Sequence, residues 1–256
     1  MAVNSGSRRS IVRGRIIGPV DFICVDLGTG GLRMGCSNEG DEECREIGNY
    51  PEAQAGTPSL VPQAPSNIIY EPKDEGPAQA VAFGHVRPRA IRGQRAVPQV
   101  KIALLPDCET YGYAYSLLTV ASETFRLKSV QQIPEDFLRL AVSHATKECN
   151  GQPKKGWVFS VPQSYKIEEV QNFRVLLQNA GCTGPVYIHG ESDCVTYANL
   201  PSIEDIIGEA RDLAFNKAQD FSVTATIFDL GAGTSVSTLS QHFESTDALR
   251  SGHNNL

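Results

Sequence analysis

"VDLGTGGLRMG", Val25 to Gly35, and "FDLGAGTSVSTL", Phe228 to Leu239, decide how this chain is to be read. Both contain Asp-Leu-Gly-x-Gly: Asp26, Leu27, Gly28, Thr29 and Gly30 in the first, and Asp229, Leu230, Gly231, Ala232 and Gly233 in the second. The copies stand much further apart than any solenoid repeat, so they mark two related half-domains rather than one stacked unit. Around the first copy, Phe22 to Val25 is a short apolar run. After the glycines, Leu32, Met34 and Cys36 alternate with Arg33, Gly35 and Ser37. That period of two is the pattern of a half-buried strand, and the local reading is strand, glycine turn, strand.

A glycine-rich turn between strands can bring successive backbone N–H groups together around an anion. Glycine admits positive φ and leaves no Cβ between the amides and a phosphate. Thr29, Thr234 and Ser235 add hydroxyl donors. A carboxylate at the mouth of each turn opposes such a ligand, because like charges about 4 Å apart repel by about 4 kcal/mol at an effective dielectric of about 20. A cation between them removes the conflict. Mg²⁺ suits the role, being held by one or two carboxylates together with substrate phosphates, which makes Asp26 and Asp229 candidate metal-positioning groups. Other nucleotide motifs fail: Gly28-x-Gly30 is followed by a strand pattern and not by G-x-x-G opening a helix, and no G-K-[ST] loop occurs. A single glycine hairpin is a common connection. The second copy with its own leading aspartate is what favours phosphate.

The 256 residues suffice for one large domain or two small ones, and 41% hydrophobic with 20% charged is ordinary globular composition. A net charge of −6 supplies no overall positive field, so neither nucleic acid nor an anionic membrane is an expected partner. The stretch bearing Arg87, Arg89, Arg92 and Arg95 is broken by Pro88, Gly93 and Pro98 and does not change that expectation. Seven scattered cysteines include no C-x-x-C or zinc-type spacing and read as buried thiols of a reducing compartment, with Cys24 and Cys36 as core groups. Cytoplasmic localisation follows. The Arg- and Ser-rich start (Arg8, Arg9, Arg13, Arg15) offers a mitochondrial leader as the alternative to a plain flexible tail over residues 1–19. No apolar run approaches the ~20 residues of a membrane span.

Residues 38–80 are rich in Pro, Gly and acids, and predict a long loop-rich excursion in which only "TPSLV" (Thr57 to Val61) and "NIIY" (Asn67 to Tyr70) can pack. "AVAFG" (Ala80 to Gly84) is a strand candidate, and Ile102 to Leu105 a strand or core fragment. Pro134 with Glu135 and Asp136 predicts a helix start, Phe137, Leu140, Ala141 and Ala145 its buried face, and Asn150-Gly151 its stop. "WVFSVP" is a buried strand. A helix follows with Glu168 and Glu169 in its first turn, Val170, Phe173, Leu176, Leu177 and Ala180 on one face, and Gly181 at its end. "PVYIHGE" predicts a strand, Ile203 to about Ala218 a helix, and "SVTATIFDL" a strand. Strands alternating with helices behind an opening hairpin define an α/β fold. His189, Glu191 and Cys194 lack the later P-C-x-x-C of a deaminase, so His189 reads as a strand-end histidine; Asp193 has no triad partner.

These motifs resemble a known family. "DFICVDLGTGGLRMGCS" is similar to the first phosphate motif of the heat-shock protein 70 chaperones, within the actin, hexokinase and heat-shock ATPase superfamily, and "TIFDLGAGTSVSTL" to the second. The segment Gly156 to Leu200 resembles the family's connection of strand, Val-Pro, helix, Ala-Gly, strand and Glu-led helix, and "GTPSLV" sits where the family has a similar segment. The resemblance implies an actin-like ATPase (ribonuclease-H-like) fold, with a first lobe over residues 20–200 and the helix and first strands of a second over 201–240. The polar stretch after Leu239, without strand or helix periodicity, predicts a disordered tail over 241–256. It also implies ATP in a cleft, with Mg²⁺ near Asp26, Glu191 and Asp229, and phosphates on Gly28, Thr29, Gly30, Gly231, Ala232, Gly233 and Thr234. A γ-phosphate lysine belongs to the family's site. Lys101 in "VKIALL" is the candidate, its alternative being a surface lysine on a strand edge.

Departures qualify the activity. Gly30 replaces the usual threonine and Ala232 a glycine, and the aspartate expected shortly after Thr234 is absent. The expected function is heat-shock-70-like ATP binding with slow or absent hydrolysis, catalysed if at all through Lys101, Glu191 and Asp229. A protein partner completing the second lobe is expected. The alternative is a truncated, non-catalytic interaction module, a pseudo-ATPase that binds no nucleotide.

Overall fold

The apolar alternation on either side of the first glycine turn folds as a hairpin, and the rest of the first unit is built on it. The structure is a computed structural model that describes residues 19–41, 44–48, 50, 63–105, 107–191, 193–194 and 208–209, and the backbone of 222–229 and 237–244. The chain divides into two compact units, one drawn from residues 1–161 and 165–188, the other from 162–164 and 189–256.

In the first unit β1 (Phe22–Leu27) and β2 (Gly31–Ser37) pair antiparallel, Val25 opposite Met34 and Asp26 opposite Arg33. Two short strands, β3 (Arg45–Glu46) and β4 (Ala64–Pro65), add to β2. Next come β5 (Ile68–Glu71), β6 (Gln79–Phe83) and β7 (Arg95–Val97), which form a separate three-stranded sheet in the order β6-β5-β7. The excursion over 38–80 therefore contains strands as well as loop. "NIIY" packs as expected, Ile68, Ile69 and Tyr70 each being at most 1% exposed, whereas "TPSLV" lies outside the described residues.

Helix α1 (Tyr113–Thr124) and helix α2 (Gln132–Glu148) follow. Helix α2 begins two residues before Pro134 and ends as expected, with Asn150 and Gly151 both at positive φ. Phe137, Ala141 and Ala145 are buried with Ile133, Leu138 and Val142, while Leu140 is only partly covered. Strand β8 (Gly156–Val161) runs parallel to β1, Asp26 opposite Ser160. Pro162 then leads to α3 (Ile167–Asn179), whose Glu169 carboxylate accepts the Lys166 N–H, and Gly181 turns the chain at φ +102° into β9 (Val186–Gly190). The main sheet has the order β3-β2-β1-β8-β9. With β2 reversed and β1 parallel to β8, this is a ribonuclease-H-like order, and the α/β class expected from the sequence holds for this unit.

Alternation sets the core. Ile23, Val25, Leu27, Leu32, Met34, Cys36, Trp157, Phe159 and Val161 lie in one cluster with the buried residues of α2 and with Phe173 and Leu177 of α3. Ring contacts tie the layers: Phe159 meets Phe173 edge-on at 6.0 Å, and Phe83 of β6 meets Phe137 edge-on at 5.7 Å. The opposite face of the hairpin carries Phe22, Cys24, Asp26, Arg33 and Gly35.

The second unit contains β10 (Ser222–Asp229) and β11 (Ser237–Glu244), antiparallel from Ser222 opposite Glu244 to Asp229 opposite Ser237. Strand β11 overturns the expectation that order ends at residue 240. Its polar sequence lacks a strand period, but an eight-residue partner supplies backbone hydrogen bonds whatever the side chains are. Of the helix expected over Ile203 to Ala218, only Gly208 and Glu209 are described, and both are helical.

The Gly28 to Gly31 turn as candidate phosphate site

The first turn is closed at its base by two hydrogen bonds, Gly28 N–H to Gly31 O at 2.7 Å and Gly31 N–H to Gly28 O at 3.3 Å. Thr29 and Gly30 form the tip, and no backbone carbonyl among the described residues accepts from their N–H groups. Neither Gly28 nor Gly31 lies in the left-handed region, which corrects the expectation that positive φ selects glycine here. Close approach selects it instead. A Cβ on Gly31 would stand 2.1 Å from Gln63 Nε2, and one on Gly28 would stand 3.1 Å from the Gly31 carbonyl oxygen.

The segment around β4 props the turn from one side. Ser66, 2% exposed, donates its hydroxyl to the Thr29 carbonyl at 2.7 Å. Gln63 lies across Gly31, with Arg33 donating to its Oε1 at 3.4 Å and its carbonyl 3.1 Å from His85 Nε2. Thr29 is 8% exposed, and its hydroxyl is buried without a hydrogen-bond partner among the described residues. A buried unpaired hydroxyl costs about 1–3 kcal/mol, a cost that a ligand oxygen at the tip removes.

Asp26 stands two residues before the turn on the face away from the core, and its Oδ1 accepts the Ser160 hydroxyl at 2.7 Å across the β1–β8 pair. That bond fixes the carboxylate and leaves Oδ2 for another partner. Such a group fits Mg²⁺, which takes one or two protein carboxylates and fills its remaining positions with water and phosphate oxygens. No group of three or more His, Cys, Asp or Glu side chains arranged to hold a metal occurs among the described residues.

Lys101 is neither on a strand nor at the surface. It lies in a 3₁₀ turn, Val100–Leu104, entered through Gln99 at φ +56°, and is 4% exposed beside Val100, Ile102 and Ala103. The run Ile102 to Leu105 is thus core, as one of its two readings had it, but not strand. In the second unit Glu191 opens a helical turn with residues 193 and 194 directly after β9, the Glu-led start expected there. His189 is exposed on β9, in keeping with a strand-end histidine. Asp229 is the last residue of β10. Gly231, Ala232, Gly233 and Thr234 lie outside the described residues.

Ser66, Gln63 and Ser160 were not singled out from the sequence. Ser66 and Ser160 reach partners 37 and 134 positions away, and Gln63 reaches Arg33 30 positions back; a lone serine or glutamine carries no periodic signal. The cysteine expectation also needs correction: Cys36, Cys149 and Cys182 are buried, but Cys24 is half-buried and Cys44 exposed.

No protein-family profile matches this chain, and no curated protein sequence does. Among solved structures it is similar to MreB5 of Spiroplasma citri bound to ADP, at 15% identity and a TM-score of 0.36, over 68% of this chain and 39% of that one. It is also similar to MreB5 of Spiroplasma citri bound to AMPPNP, at 15% identity and a TM-score of 0.32, over 69% and 40%. The chain thus spans about two fifths of the length of these structures. No helix among the described residues is long and apolar enough to cross a membrane.

Proposed function

We propose that this chain is a heat-shock-70-like nucleotide-binding protein, which takes a phosphate of ATP on the Gly28 to Gly31 turn with Mg²⁺ at Asp26. One observation carries the reading: among the described residues the Thr29 hydroxyl is buried without a partner, at a tip where the Thr29 and Gly30 N–H groups meet no backbone carbonyl. Three donors on two adjacent residues suit the oxygens of a phosphate, and the absence of a side chain at Gly30 lets the ligand approach the backbone. Bound Mg²⁺ would offset the repulsion between Asp26 and the phosphates and draw charge from the bond that breaks.

The second Asp-Leu-Gly-x-Gly copy, with Asp229 and Glu191, is the sequence's own candidate for further phosphate and metal contacts. Lys101, buried in the Val100–Leu104 turn, is the candidate charge for the terminal phosphate. Hydrolysis would be slow or absent, because the aspartate expected beyond Thr234 is missing.

Thr29→Val tests the reading at its centre. The methyl replaces the hydroxyl at similar volume, so the chain should fold as well as the wild type or better, while its affinity for a fluorescent ATP analogue falls about 10-fold, one lost hydrogen bond to a charged group. Unchanged affinity would remove Thr29, and with it the turn, from the site.

A further inference from the structure

Four of the seven thiols gather about β2. Cys24 of β1 lies opposite Gly35, so it shares that glycine's face, away from the core. Cys44, immediately before β3, brings its sulfur over the same glycine: a Cβ on Gly35 would stand 2.5 Å from Cys44 Sγ, which also lies 3.5 Å from the Cys36 carbonyl oxygen. Cys24 and Cys44 therefore approach each other over the open face of Gly35. On the other face Cys36 and Cys149, both 0% exposed, form a second contacting pair. Access separates the pairs. Cys44 is exposed and Cys24 half-buried, whereas the inner pair is sealed in the core.

We propose that Cys24 and Cys44 are a peroxide-responsive dithiol that closes reversibly to an intrachain disulfide across Gly35. The missing side chain at Gly35 leaves the space in which the two sulfurs meet. Cys44 is the first nucleophile, because it is exposed where Cys24 is half-buried and peroxide reaches it directly.

Its sulfur attacks one oxygen of hydrogen peroxide; the O–O bond breaks, hydroxide leaves and takes up a proton as water, and Cys44 becomes a sulfenic acid. The Cys24 sulfur then attacks Cys44 Sγ, the S–O bond breaks, and the second water departs with the Cys24 proton. Two thiols and one peroxide give one disulfide and two waters, and an added dithiol reverses the closure by exchange. Cys24 lies on the face of β1 that carries Asp26, two residues away, so the bridge would tie the start of β3 to the strand that leads into the glycine turn. The proposal stands independently of nucleotide binding.

Peptide mapping of the full chain tests it. The protein is treated with hydrogen peroxide, free thiols are blocked with N-ethylmaleimide, and non-reduced tryptic peptides are fragmented in the mass spectrometer. Cleavage at Arg33 and Arg45 places Cys24 on one peptide and Cys36 with Cys44 on the next, so fragmentation must assign the partner. The expected product is a Cys24–Cys44 bridge that dithiothreitol removes, with Cys36 and Cys149 still thiols. In Cys24→Ser the bridge disappears and Cys44 is trapped by dimedone as the sulfenic acid. Overturning results are Cys24 and Cys44 both remaining free after peroxide, a bridge from Cys24 to Cys36, or Cys44-linked dimers on a non-reducing gel. The wild-type map alone decides the question if the variant does not fold.

Discussion

Single residues show where glycine and histidine are constrained by contact. Gly31 is held by the side chain of Gln63, so Gly31→Ala should destabilise the first unit by about 1–3 kcal/mol through overpacking. Gly31→Ala combined with Gln63→Ala should recover most of that loss, because the two sites touch and do not add. Urea midpoints of the two singles and the double check both statements. His144 of α2 stacks on Tyr50 at 5.6 Å, with its Nε2 3.5 Å from the Gly48 carbonyl oxygen. Burial holds its pKa below the ordinary 6.5, outweighing Glu148 and the Gly48 carbonyl, which raise it. The unfolded chain therefore takes up this proton first as pH falls. The stability associated with neutral His144 is present above about 6.5 and is lost as pH drops through the lower folded value. Urea unfolding at about pH 7.5 and pH 5.5 should give a larger difference for the wild type than for His144→Gln, and equal differences would remove His144 as the cause.

At the scale of elements, α2 joins the two sheets of the first unit. Phe137 is 0% exposed and meets Phe83 of the small sheet, so Phe137→Ala should cost about 3–5 kcal/mol, read as a fall in the urea midpoint at unchanged slope. A loss below about 1 kcal/mol would mean that α2 is not packed as described. Elements with strong local patterns were legible in the sequence. The β1–β2 hairpin follows from alternation, α3 from acids in its first turn and a terminal glycine, and β8 from an apolar run ended by proline. Helix α1 was not legible. "YAYSLLTVASET" is rich in aromatic, hydroxyl and β-branched residues of weak helix propensity, and tertiary contact through the fully buried Leu118 fixes it. Lys101 was misplaced for a related reason: a run of four apolar residues does not tell a strand from a buried 3₁₀ turn, and the deciding feature is Gln99 at positive φ. In the candidate site, Asp26, Gly28 and Thr29 were named from the motif alone. Ser66, Gln63 and Ser160 were not, since they arrive from distant segments that only the folded sheet brings to the turn.

For the whole molecule, the repeated Asp-Leu-Gly-x-Gly makes one claim above the others: the first copy is a phosphate turn that needs a divalent cation because an aspartate stands at its mouth. Asp26→Asn keeps the size of the side chain and an oxygen to accept from Ser160, so the fold should survive while the negative charge is lost. The direct measurement is calorimetric titration of the full chain with a non-hydrolysable ATP analogue, with and without Mg²⁺, for the wild type and Asp26→Asn. Wild-type binding should strengthen at least 10-fold when Mg²⁺ is added, and Asp26→Asn should lose most of that gain while keeping weak metal-free binding. Wild-type protein that binds no analogue in either condition, or a Mg²⁺ gain that Asp26→Asn leaves intact, would contradict the assignment.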